Sequence, residues 1–265
     1  MKFFDQQKNQ LVYISKSATS DFWDECWDDG DFQKIVKGVS DRSYVKKFTQ
    51  KYLSSGSRIL EGGCGRGQYV YALQKWGYKA EGLDFAPLTV KKIQKFFPEL
   101  NVSLGDVRSV PFDDNAFDGY WSFGVIEHFY EGFGQIAAEM ARVVRPGGFV
   151  FVTFPYFSPL RKMKSRFSLY PVFDKNNFEK EKFYQFALNT SGVTQEFQKH
   201  GLILKEVRPL DGIKGLKDEV KWLRPLLQYI YNSKFFPMKV LRQAINILFQ
   251  RFSGHSVLLI FENKK

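Results

Sequence analysis

The stretch Ile59-Leu60-Glu61-Gly62-Gly63-Cys64-Gly65-Arg66-Gly67 decides the fold. A short apolar run ends in a carboxylate, and glycine fills four of the six positions that follow. Gln68-Tyr69-Val70-Tyr71-Ala72-Leu73 then has helix-forming character. A strand, a tight turn and a helix start leave backbone N–H groups pointing outward without partners. Glycines let a ligand approach with no Cβ in the way. The loop alone points to a ligand with a nucleotide-like moiety.

Working outward, the same rhythm repeats. Lys79–Leu83 delivers Asp84, Pro87 opens a helix that runs to about Phe97, and Asn101–Leu104 ends at Gly105-Asp106-Val107. A fourth strand is expected over Phe117–Phe123, a helix over Phe133–Val144, and a fifth strand over Phe149–Phe154 after Arg145-Pro146-Gly147-Gly148. Strands alternating with helices predict parallel βαβ units and a doubly wound, Rossmann-like α/β fold. Carboxylates at successive strand ends then face one crevice beyond the carboxyl edge of the sheet. The glycine spacing argues against a nicotinamide cofactor, because Gln68 stands where the third glycine of that fingerprint belongs.

Glu61–Gly67 resembles motif I of the class I S-adenosylmethionine-dependent methyltransferases. Gly82-Leu83-Asp84-Phe85 resembles their second motif and Gly105-Asp106-Val107 their third. Ser122-Phe123-Gly124-Val125-Ile126-Glu127-His128-Phe129 resembles the fourth-strand segment of the small-molecule branch, and Arg145–Gly148 the turn before the fifth strand. The resemblance covers residues 40–155. It implies a seven-stranded sheet between two helical layers, with Leu202–Val207 and Ser256–Phe261 as the last two strands and the seventh antiparallel between the fifth and sixth. A helix over Tyr184–His200 would join the fifth strand to the sixth.

The resemblance further implies S-adenosylmethionine as cofactor. Amides of Gly62, Gly63 and Gly65 would lie against its methionine and ribose parts, and Glu61 would receive the ammonium group. Asp84 would accept both ribose hydroxyls, Phe85 would lie beside adenine, and Asp106 with the Val107 amide would hold its edge; Phe123 belongs to the same set. His128, just past the fourth strand, is the candidate base, since imidazole titrates near neutrality. Tyr156 is a second polar candidate for the pocket. No metal is implied.

The rest of the chain bears on the acceptor. With 44% hydrophobic residues the chain has a sizeable core, and two cysteines, Cys26 and Cys64, exclude a disulfide framework. No signal-like segment or membrane span is read, so the cytoplasm is expected, at the membrane periphery if lipid is bound. Residues 1–150 hold 19 Lys and Arg against 19 Asp and Glu, whereas residues 151–265 hold 20 against 9. The whole excess of +11 therefore lies in the second part, which suggests an anionic partner.

Residues 1–57 read as a helical lead-in, with Ser40 or Asp41 capping its last helix and Trp23 and Trp27 at helical spacing as an aromatic lid. The remaining 58–265 form the catalytic unit, with insertions at 155–183 and 212–253. In the second, Met238, Leu241, Ile245, Leu248 and Phe252 make one stripe and Trp222, Leu223, Leu226, Leu227 and Ile230 another. Two helices packed together, a basic surface on anionic lipid, or a homodimer interface would each use them. The reading is in-line methyl transfer to a small or lipid-linked acceptor under a lid made by 1–30 and 155–183. RNA or protein methylation and a scaffold without turnover are the alternatives; nucleic acid is disfavoured because no Asn-Pro-Pro-Tyr-type loop follows the fourth strand.

Overall fold

The computed structural model describes residues 1–27 and 30–265; residues 28 and 29, within the expected lid, lie outside the described residues. A central sheet takes β3 (Arg58–Gly62), β4 (Lys79–Asp84), β5 (Asn101–Leu104), β6 (Phe117–Phe123), β7 (Val144–Pro155), β9 (Leu202–Leu210) and β10 (Ser256–Asn263) in the order β5-β4-β3-β6-β7-β10-β9. β10 runs antiparallel to both β7 and β9, and the β3–β4, β3–β6, β4–β5 and β6–β7 pairs are parallel. The doubly wound sheet and the antiparallel last strand match the expectation.

Alternate residues along each strand face opposite layers. Leu60, Tyr120 and Val150 join the core under α6 (Gly134–Val143) and α8 (Thr190–Gln198). Ile59, Trp121 and Phe151 join the core under α2 (Phe32–Lys37), α3 (Tyr44–Tyr52), α4 (Gln68–Lys75) and α5 (Pro87–Phe96). Both sides of the sheet are thus buried, as parallel strands require.

Three readings are corrected. The lead-in is helical only from α1 (Ser20–Trp27) onward, because β1 (Lys2–Asp5) and β2 (Gln10–Ile14) form an antiparallel hairpin. Asn9 takes the left-handed conformation at its turn, which asparagine tolerates. The helix expected over Tyr184–His200 begins only at Thr190. Phe183–Ala187 is β8, an aromatic strand that pairs with β2 to complete a second, three-stranded sheet. Asn189 then caps α8 by accepting the Gly192 N–H at 2.7 Å. The cap of α3 is Ser43, which accepts from Val45 N–H, rather than Ser40 or Asp41.

Residues 212–253 hold three helices: α9 (Gly212–Glu219), α10 (Arg224–Asn232) and α11 (Phe236–Ser253). α9 lies directly on α11. A Cβ on Gly215 would stand 1.6 Å from the Ser253 carbonyl oxygen, and Ser253 Oγ donates to the Gly212 carbonyl at 2.8 Å. α7 (Pro159–Arg166) packs beside them through Leu160. A buried charge cluster ties these pieces to the hairpin. Glu219 accepts from Arg161 Nε at 3.0 Å, Lys164 Nζ at 2.7 Å, Lys2 Nζ at 2.7 Å and the Tyr170 hydroxyl at 2.6 Å.

Candidate active site

The loop after β3 is held down on β4, where the Leu83 carbonyl accepts from the amides of Gly63 (2.7 Å) and Cys64 (3.1 Å). Two glycines are fixed by their surroundings. A Cβ on Gly62 would fall 1.8 Å from the Tyr120 hydroxyl, so nothing larger passes over β6 there. Gly65 has φ +50° and lies under the Trp27 ring, 3.0 Å from where a Cβ would stand. Gly67, itself left-handed, opens α4 with no side-chain cap. The first amides of that helix carry the positive end of its dipole.

Three acids stand at adjacent strand ends. Glu61 is buried, and its Oε2 has no hydrogen-bond partner among the described residues. Burial, and then the Asp84 charge, push its carboxyl well above the usual range. Asp84 Oδ2 accepts the Gly65 N–H at 2.7 Å and Oδ1 the Ala86 N–H at 3.0 Å, leaving one acceptor site on each oxygen. Asp106 is held by Arg108, whose Nε lies 3.0 Å from both carboxylate oxygens and whose Nη2 lies 2.5 Å from Oδ2. That pairing keeps the Asp106 carboxyl below its ordinary value.

One cavity joins these elements. Gly63, Asp84, Phe85, Asp106, Val107 and Phe123 form one part of its wall, and Trp23, Trp27, Val125, His128 and Phe129 another. Glu61, Gly62 and Gly65 are not on this wall; they flank Gly63, which is. α1 is fastened over the opening by a borrowed cap. Ala86, at the N-cap position of α5, has no side chain to cap with, and Asp24 of α1 accepts from Leu88 N (3.2 Å), Thr89 N (2.7 Å) and Thr89 Oγ1 (2.7 Å). Arg66 Nε donates to the Trp27 carbonyl at 2.9 Å. Trp23 and Trp27 stack at 5.5 Å, and Trp23 meets the His128 ring edge-on at 5.0 Å.

His128 Nδ1 lies 2.7 Å from the Tyr184 carbonyl, which can only accept. The proton is therefore on Nδ1, and Nε2 keeps its lone pair, 4.0 Å from Glu127 Oε1. Burial lowers the imidazole to about 4 against the pull of that carbonyl, and raises the Glu127 carboxyl to about 8. Both are neutral at pH 7. Folded Glu127 holds a proton that the unfolded chain releases near 4.5, so its contribution falls as pH rises from 4.5 to about 8. His128 acts oppositely, its contribution rising between about 4 and 6.5. Above 6.5 only the Glu127 slope remains of the pair. Between pH 6.5 and 8 the native protein is expected to lose about 2 kcal/mol relative to Glu127→Gln. Thermal melts across that range check it, and parallel profiles would refute a buried, protonated Glu127.

A family model described as a methyltransferase domain matches residues 60–152. Over these residues, about a third of the chain, the sequence is that of a methyltransferase domain. A protein of Mycolicibacterium smegmatis named as an S-adenosylmethionine-dependent methyltransferase is 33% identical over 138 residues, which is 49% of this chain and 53% of that protein. The phthiotriol/phenolphthiotriol dimycocerosates methyltransferase of Mycobacterium leprae is 38% identical over 109 residues, 40% of either chain. The chain thus spans about half the length, or less, of these two relatives. A Haloferax volcanii methyltransferase solved with the Trm112 activator superposes with a TM-score of 0.59 at 18% identity, covering 92% of this chain and 98% of its own.

The site of the methyltransferase domain fits its cofactor. An unpartnered buried carboxylate oxygen on Glu61 beside a glycine cradle suits an ammonium group, and the two open acceptor sites of Asp84 suit a diol. Tyr156 is not on this cavity's wall. It packs against the core, its N–H donating to the His255 carbonyl and its own carbonyl accepting Arg161 Nη1. Residues 155–183 contribute nothing to the wall, so of the expected lid it is α1 that covers the cleft. Arg108 and Glu127 were not foreseen. Arg108 directly follows the third motif, two residues past Asp106, a spacing at which it reaches Asp106 across the turn. The orientation of Glu127 depends on the short helical turn Ile126–His128, which no periodicity announces.

Proposed function

We propose that the chain transfers a methyl group from S-adenosylmethionine to a small apolar or lipid-linked acceptor. The observation that carries this reading is the single cavity in which strand-end acids meet His128 and a mostly aromatic wall of Trp23, Trp27, Phe123 and Phe129. Bound there, the cofactor supplies an electrophilic methyl group on a sulfonium whose charge disappears on transfer. Glu61 receives the ammonium group, Asp84 the ribose hydroxyls, and Phe85 and the Val107 amide flank adenine. Asp106 takes part once Arg108 yields one of its contacts.

Alignment of an acceptor against that methyl supplies several kcal/mol of the barrier by proximity. His128 Nε2 is the atom that takes a proton from an acceptor hydroxyl, because Nδ1 is committed to Tyr184. Neutral Glu127 beside it avoids burying a second charge in the dry pocket. The lipid-linked acceptor draws support from the apolar wall and from the likeness to the dimycocerosates methyltransferase of Mycobacterium leprae, which covers 40% of either chain. S-adenosylmethionine and S-adenosylhomocysteine are expected to raise the melting temperature and NAD to leave it unchanged. S-adenosylhomocysteine release is expected with a lipid fraction of a cell extract and not with its RNA. No shift with either sulfur ligand would sink the assignment, and release with RNA alone would replace the acceptor class.

A further inference from the structure

α11 is an 18-residue helix with one buried residue, Ser253. Its inward side is already satisfied: Met238, Ile245 and Phe249 pack with Ile213, Leu216, Leu227 and Ile230 of α9 and α10. The outward side is apolar as well. Phe236, Val240, Leu241, Ile247, Leu248 and Phe252 are exposed, Phe236 at 74% and Leu248 at 73%. Their spacings of four, one, six, one and four residues spread them over one side of the helix, roughly 160° wide at 100° per residue and distinct from the packed line. The expected stripe of Met238, Leu241, Ile245, Leu248 and Phe252 is therefore split between two faces. Trp222, at 80% exposure, leads into α10, whose Leu226 and Tyr229 are exposed too.

A solvated helix does not keep such a face without an occupant, and charge identifies it. Residues 220–253 hold six cations, Lys221, Arg224, Lys234, Lys239, Arg242 and Arg251, and no Asp or Glu. No ion pair involves any of the six among the described residues. A second copy of the chain would bring two such all-cationic segments together, whereas an anionic surface neutralises them. No helix among the described residues is long and apolar enough to cross a membrane, so the fit is to a surface and not to a span. Exposed Trp, Tyr and Phe suit the depth at which headgroups meet acyl chains.

We infer that the outward face of α11, flanked by these cations, rests on a bilayer containing anionic phospholipid. This deepens the proposed function by giving a lipid-linked acceptor a surface from which to enter, and it rests on that reading for its purpose alone. Phe236, Val240 and Leu248 enter the acyl boundary while Lys239 and Arg251 meet phosphates. The charge cluster around Glu219 fixes the three helices to the rest of the chain, so docking orients the cleft as well.

Sedimentation of the full chain with vesicles, without cofactor, tests it. The native protein is expected to pellet with phosphatidylcholine–phosphatidylglycerol vesicles and to bind phosphatidylcholine alone roughly tenfold more weakly or less. Val240→Glu with Leu248→Glu is expected to weaken binding roughly tenfold or more. Lys239→Gln with Arg251→Gln is expected to weaken it in the anionic vesicles only. All four positions are exposed, and an unchanged melting temperature verifies folding. Native protein left in the supernatant overturns the inference, as does unchanged binding of the glutamate variant. A native dimer by light scattering that Leu248→Glu dissociates gives the face to a second copy and overturns it as well. A glutamate variant that still methylates a detergent-dispersed acceptor separates a failure of docking from a failure of the proposed activity.

Discussion

Glu219→Ala is expected to lower stability by about 3–5 kcal/mol, the cost of leaving a buried ion without its partner. Arg161 is 1% exposed and has Glu219 as its carboxylate. Removing that carboxylate strands the guanidinium and releases the Lys164 and Tyr170 hydrogen bonds at once. Burial acts to raise the Glu219 carboxyl, but the charges of Lys2 and Arg161 and the bond from Lys164 override it and bring the group to about 2. The stabilisation is thus present above the unfolded value of 4.5 and disappears as pH falls toward 2. At this chain length the loss corresponds to a melting point lower by roughly 10 °C. Differential scanning calorimetry reads it, with Lys2→Met as a mild control because Lys2 is part-exposed and Glu219 keeps its other partners. Arg161→Met added to Glu219→Ala is expected to recover part of the loss. A melting point for Glu219→Ala within a degree of native would mean that the cluster adds nothing.

Asp84→Ala is expected to weaken S-adenosylhomocysteine binding by about 1.5–3 kcal/mol, the range for hydrogen bonds to a charged group. That is roughly 10- to 150-fold in Kd. Burial raises the Asp84 carboxyl above its ordinary value, and the Ala86 and Gly65 amides pull it back. Those same amides make Asp84 a brace for the loop as well as a ligand contact. Asp84→Asn retains one acceptor oxygen and is expected to fall between native and alanine. Calorimetric titration separates the three, and equal affinities would place the ribose elsewhere.

What could be read without coordinates was whatever the chain declares within a few residues. Ile59–Leu60 before a glycine run fixes a strand end locally, and five such signals in order give the parallel strands, the family resemblance adding the last two; Arg145–Gly148, read as the turn before the fifth strand, lies inside β7 where its register against β6 shifts. The hairpin of residues 2–14 was missed because its strands are completed only by Phe183–Ala187. The aromatic residues of that partner were absorbed into a helical reading of the segment that follows. In the site, the convergence of Glu61, Asp84 and Asp106 follows from strand order. The hold of Arg108 on Asp106, the position of Tyr156 off the cavity wall and the neutral state of Glu127 follow from tertiary placement, which spacing does not encode. α11 was half legible. Its apolar periodicity was visible, but tertiary packing, of Met238, Ile245 and Phe249 with α9 and α10 and of Gly212 and Gly215 against α11, tells the inner face from the outer.

The pairing of β2 with β8 also governs how the protein is made. Val12 has Phe186 as its partner, so the hairpin leaves the ribosome roughly 170 residues before the strand that finishes its sheet. At 5–20 residues per second the interval is on the order of 10–30 s. Leu11 and Val12, fully buried at the end, lack the cover of β8 throughout it. A two-stranded hairpin is marginal in water at best, so β1 and β2 are made before the rest of this fold yet are among its last strands to become structured. The α1 segment that follows them can close over the glycine loop as soon as β3, β4 and α5 exist. The nascent chain can therefore assemble the sheet around its glycine loop first and completes the β1–β2 sheet only after residue 187.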